Sequence, residues 1–128
     1  MAPKPTAEPA LAKIKPRRDP LMSTYKTIDA QTAKIMMNEP GVVIVDVRNP
    51  DEFATGHIPN AVNIPLDQLG QSMQYDPLKD PDATYLIYCR SGRRSAIAAE
   101  IFVQNDYSRI YDFGGILSWP YEVILPKN

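Results

Sequence analysis

A chain of 128 residues with 44% apolar and 23% charged content is sized for one domain around a single modest core. A formal net charge of −1 gives no electrostatic footprint for nucleic acid or an anionic membrane surface, and no apolar run approaches the roughly 18 residues that cross a bilayer. One cysteine and one histidine exclude an internal disulfide and would leave a metal almost wholly to carboxylates, so no metal is expected.

Residues 1–22 read as a basic tail. Pro3, Pro5, Pro9, Pro16 and Pro20 interrupt it with Lys and Ala between them, and such a segment buries too little surface to offset the entropy of ordering it. It lacks the apolar stretch of a signal peptide. With the lone cysteine this suits a reducing cytoplasm, a mature exported form being the alternative. The domain is expected over residues 23–128, and it is the acidic part of the chain.

Residues 25–28 suit a short edge strand. Asp29 is placed to cap a helix running to about Asn38 and closed by Pro40-Gly41. The β-branched run over 42–45 suits a strand covered on both faces and ends in Asp46-Val47-Arg48. Asn49-Pro50-Asp51-Glu52 opens a helix that Gly56 stops after barely two turns. A short strand is expected over 61–63, a short helix over 66–73 and a polar loop over 76–82. Residues 85–88 form the second core strand, with Cys89 at its carboxyl end. Ser95 is placed to cap a helix to about Asn105, whose apolar stripe is Ile97, Ala98, Ile101 and Phe102. A strand over 109–113, then Gly114-Gly115 and a short helix near Trp119, close the chain.

Strands alternating with helices predict an α/β fold: a central, mostly parallel sheet of about five strands with helices on both faces. Ligands of such sheets bind outside the carboxyl ends of the strands. Asp46-Val47-Arg48 and Cys89 both fall there.

The segment Cys89-Arg90-Ser91-Gly92-Arg93-Arg94-Ser95 follows a buried strand and opens a helix. A loop so placed can turn successive N–H groups inward on one spot as an anion-binding nest, and the helix start adds its positive end. Gly92 supplies the freedom for a positive φ. With Arg90, Arg93 and Arg94 alongside, these features favour Cys89 as a thiolate, a nucleophile for anionic substrates. A lone cysteine after a strand is often an inert core residue; three arginines within five positions are hard to place in a core.

The chain resembles a single-domain rhodanese. Three segments carry the resemblance: Val45-Asp46-Val47-Arg48 with Glu52-Phe53 and Gly56-His57-Ile58-Pro59-Asn60-Ala61-Val62-Asn63-Ile64-Pro65; Tyr88-Cys89-Arg90-Ser91-Gly92-Arg93-Arg94-Ser95; and Gly114-Gly115 with Trp119. Together they span about residues 24–124. Asn60 stands where the family often has Gly, and Asn also tolerates the left-handed region.

The resemblance implies a thiosulfate sulfurtransferase. Cys89 would take sulfane sulfur from thiosulfate or a similar small anionic donor, become a persulfide, and pass the sulfur to cyanide or a thiol in ping-pong fashion, with no metal or organic cofactor. The alternative is a persulfide carrier that delivers sulfur to a sulfur-relay protein and turns over slowly alone. Related phosphatases and arsenate reductases use Cys-x5-Arg; here the loop is Cys-x4-Arg, and Ser95 takes the position of their arginine. A six-residue ring suits one extra sulfur atom better than a phosphate.

Within the loop, Arg94 matches the family's loop-closing arginine and calls for a carboxylate partner that the sequence does not single out. Arg90 and Arg93 either bind the donor or supply a general positive field. Ser91 and Ser95 are candidate donors to the persulfide, Ser95 equally a simple helix cap. Asp46 and Arg48 are expected to support the loop rather than react, because a carboxylate close to Cys89 would oppose its ionisation. His57 falls in the Gly-His-Ile segment and is read as structural, as is Glu52. Phe113 and Trp119 are read as core or pocket wall.

Overall fold

The computed structural model describes residues 25–126, so the expected tail over residues 1–22 lies outside the described residues. Five strands, β1 (Tyr25–Thr27), β2 (Val43–Asp46), β3 (Val62–Asn63), β4 (Thr84–Cys89) and β5 (Arg109–Gly115), form one sheet in the order β1-β5-β4-β2-β3. Every pairing is parallel. The predicted edge strand β1 does sit at an edge.

Parallel neighbours need crossovers, and four α-helices are spaced between the strands: α1 (Ala30–Met36), α2 (Pro50–Ala54), α3 (Leu69–Ser72) and α4 (Arg93–Gln104). Asp29 caps α1 as predicted, its carboxylate accepting from Thr32 N–H at 2.8 Å. The helix expected over 66–73 is a 3₁₀ turn, Leu66–Gln68, running into α3, and the last helix is a 3₁₀ turn at Ile116–Ser118.

Alternation along β4 divides the core. Tyr85, Ile87 and Cys89 join Ala98, Ala99, Phe102 and Val103 of α4 on one face. Leu86 and Tyr88 join Ala33, Phe113 and Trp119 on the other. Side chains of β4 are thus buried on both faces, as its continuous apolar run requires. The order of the sheet puts β2 and β5 on either side of β4, which brings the ends of all three strands around Cys89.

Candidate active site

Cys89 is the last residue of β4 and 1% exposed. Its Sγ accepts from Gly92 N–H at 3.0 Å, so the chain curls back over the sulfur within three residues. Gly92 makes the curl with φ 107°, a conformation costly for any residue with a Cβ.

That turn also corrects the expected helix start. Gly92, not Ser95, is the N-cap, and α4 begins at Arg93. Arg93 and Arg94 therefore belong to the first turn of the helix. Ser95 is buried inside the turn, and its hydroxyl donates to Asp112 Oδ1 at 2.7 Å. A hydroxyl has one proton to give, and directed at Asp112 it is not free for a persulfide on Cys89. Ser91, the other candidate donor, is exposed at the rim of the loop.

Asp112 was not foreseen as a site residue. It is buried near the end of β5 and accepts from Gly114 N–H at 2.9 Å as well as from Ser95, so it joins β5 to the start of α4. The signal available in the sequence was a carboxylate between Tyr111 and Phe113 of a strand, where burial demands hydrogen-bond partners.

Arg94 finds its carboxylate in Glu52 of α2: Nη1 donates to Oε1 at 2.8 Å and Nη2 to Oε2 at 2.9 Å. Glu52 also accepts from Asn49 N–H at 2.9 Å, so one side chain caps α2 and anchors α4. The Arg94 guanidinium is the main cause that lowers the Glu52 pKa from 4.5 to about 2; partial burial opposes it and the Asn49 N–H adds to it. A folded pKa below the unfolded one stabilises the fold above about pH 4.5, and that contribution disappears as the pH falls from there through about 2. The two side chains are 26% and 30% exposed, so solvent screening holds the bridge to about 1–2 kcal/mol. Glu52→Gln should therefore lower stability by about that amount at pH 7 and by almost nothing near pH 2. Urea unfolding at several pH values measures it, and a deficit independent of pH would refute the linkage.

Asp46 and Arg48 pair with each other at the end of β2 and are 0% and 4% exposed. Arg48 Nη2 donates to Asp46 Oδ2 and to Gly56 C=O, both at 2.7 Å, and Arg48 Nε donates to Oδ1 at 3.0 Å. The pair ties the strand end to the segment after α2. Asp46 thus spends its charge on Arg48.

Arg90 and Arg93 are exposed and form no ion pair among the described residues. They supply the free positive charge of the site. His57 stacks on Phe53 at 3.8 Å, its Nδ1 lies 3.2 Å from Phe53 C=O, and its backbone pairs with Ile124. Phe113 and Trp119 pack against each other in the core, with Trp119 also lining a cleft beside the loop. Among the described residues no group of three His, Cys, Asp or Glu side chains could hold a metal ion, and no helix is long and apolar enough to cross a membrane.

A cysteine at the end of a central parallel strand, with an N–H turned on its sulfur and a helix starting at once, is a specific combination. The family profile of the rhodanese-like domain matches residues 29–121. The chain belongs to the rhodanese-like domain family.

A sulfurtransferase of Allochromatium vinosum is 42% identical to this rhodanese-like chain over 79 residues, 61% of this chain and 71% of its own length. A solved rhodanese-like domain protein from Staphylococcus aureus is 31% identical with a TM-score of 0.68, covering 80% of this chain and 99% of its own. A rhodanese with anions from E. coli is 27% identical with a TM-score of 0.61, covering 66% and 98%.

Proposed function

We propose that this rhodanese-like chain is a sulfurtransferase that moves sulfane sulfur from thiosulfate, or a similar small anionic donor, to a thiol or cyanide through a persulfide on Cys89. The observation that supports this most is the position of Sγ. It sits under a six-residue loop with the Gly92 N–H aimed at it and two exposed arginines, Arg90 and Arg93, that form no ion pair among the described residues.

In the first half-reaction the Cys89 thiolate attacks the outer sulfur of thiosulfate. The new S–S bond forms as the old one breaks, and sulfite leaves with the electron pair. Arg90 and Arg93 draw the dianionic donor toward the loop, and the Gly92 N–H stabilises the negative sulfur. In the second, the acceptor takes the outer sulfur and the Cys89 thiolate returns. The scheme needs no metal or organic cofactor.

Intact-mass measurement after incubation with thiosulfate tests it. One added sulfur atom is expected, and because Cys89 is the only cysteine its place is defined. No adduct with any sulfane-sulfur donor would overturn the proposal. Ready loading followed by slow release to cyanide would instead favour a carrier that hands its sulfur to a relay protein.

A further inference from the structure

Beside the Cys89 loop lies a cleft of about 420 Å³, several times the size of thiosulfate and within the range of small organic ligands. Its walls are largely apolar: Ile116, Leu117, Trp119, Tyr121, Val123 and Leu125. Leu117 and Leu125 are 64% and 66% exposed. Clustered apolar side chains in water mark a surface that something covers.

The cleft is fastened to the loop. Leu117 N–H donates to Arg90 C=O at 3.2 Å, and Gly115 packs against the backbone of Arg90 and Ser91. Three charged groups line the cleft with these apolar walls. Arg48 is neutralised by Asp46 and Glu52 by Arg94. Arg90 is the third, and it has no carboxylate partner among the described residues. The space therefore offers one cation, carried by the residue that follows Cys89, beside a set of apolar walls.

We propose that the cleft seats the sulfur acceptor, and that the acceptor is an organic thiol bearing a carboxylate next to its sulfur and an apolar tail. The carboxylate meets Arg90, the tail lies on Leu117, Tyr121 and Leu125, and the thiol faces Cys89. This rests on the sulfurtransferase reading and adds the class of acceptor to it. The acceptor thiolate attacks the outer sulfur of the Cys89 persulfide, and a new S–S bond forms to it. The bond from the Cys89 sulfur breaks, its electron pair stays as the Cys89 thiolate, and any proton on the outer sulfur leaves with it. No net oxidation occurs.

The test uses the full chain, loaded with thiosulfate and freed of excess donor. It is mixed with 2-mercaptopropionate, 2-mercaptohexanoate or 2-mercaptooctanoate, a series with a constant reacting end and a growing tail. Burying a methylene is worth up to roughly fourfold, so the rate constant should rise at least about tenfold from the first to the second. In Leu117→Ser/Leu125→Ser the series should flatten. A flat series in the wild type, or a slope that survives in the double variant, overturns the proposal.

Binding is read separately through Trp119, the only tryptophan and part of the cleft wall. Octanoate should perturb its fluorescence at concentrations at least about tenfold below propionate, and the double variant should lose that preference. Failure to load with thiosulfate would count against the sulfurtransferase reading, while equal binding of octanoate and propionate would by itself overturn the cleft as an acceptor site.

Discussion

Gly115→Ala is expected to slow sulfur loading of Cys89 at least about a hundredfold and to destabilise the fold by about 2–4 kcal/mol. The backbone at Gly115 is ordinary extended chain, φ −128° and ψ 152°, so conformational strain is not the cause. Space is. A Cβ there would run into Arg90 O and lie 2.5 Å from Ser91 Cα and 2.6 Å from Arg90 C. All three are backbone atoms of the loop, which cannot rotate aside as a flexible side chain would. The loop must lift away from β5, and lifting it pulls on the Gly92 N–H contact to Sγ and on the bond from Leu117 N–H to Arg90 C=O. Gly70→Ala is the control. No atom lies within 4 Å of its added Cβ, and in α3 the change should leave stability equal or about 0.5–1 kcal/mol higher. Loading followed by mass, with urea unfolding of both variants, checks the pair. Wild-type loading in Gly115→Ala would mean that the loop's seat on β5 is irrelevant to Cys89.

Much of the frame behind that argument is legible in the residues. The runs at 42–45 and 85–88 mark the two central strands, since only a sheet covered on both faces accommodates unbroken apolar runs. Asp29 announces the start of α1, and Pro50 with Gly56 brackets α2. Boundaries move by a residue or two where hydrogen bonding, not composition, sets them: β5 runs on to Gly115 because that residue pairs with Cys89 at the end of β4. Ser95 shows how a local rule fails. Serine is a good N-cap, but a left-handed Gly92 begins the helix earlier and leaves Ser95 to satisfy the buried Asp112.

The candidate site is legible to the extent that it is local. Cys89, its arginines and Gly92 are contiguous, and their chemistry follows from their order. Partners from distant elements are not. Glu52 lies 42 residues from Arg94, and any of several carboxylates would have suited. The cleft is the extreme case. Its apolar walls come from residues 116–125, mostly irregular chain, held near the segment after α2 by the pairing of His57 with Ile124. No periodicity records such a contact.

Arg48→Met should destabilise the fold by about 3–5 kcal/mol, the cost of stranding a buried carboxylate. Asp46 is fully buried, and its charge is balanced within hydrogen-bond distance by Arg48 alone. Burial works to lower the Arg48 pKa, but the Asp46 carboxylate more than offsets this and holds it above its usual value. With Met in place, Asp46 keeps the N–H of residue 48 at 2.9 Å and the neighbouring Tyr88 hydroxyl but no countercharge, and it must take up a proton, admit water or unfold. Asp46→Leu/Arg48→Met removes both charges and should recover much of the loss, because two apolar side chains avoid the desolvation that the pair required. A double-mutant cycle with Asp46→Leu isolates the coupling, expected above about 2 kcal/mol. Additive single losses would show that the pair is no pair. The same experiment separates support from chemistry: Arg48 commits its Nε and Nη2 to Asp46 and Gly56 C=O, and its charge is balanced by Asp46. The folded fraction of the doubly apolar variant should therefore still load sulfur, and a folded variant that cannot would return Arg48 to the list of groups that touch the substrate.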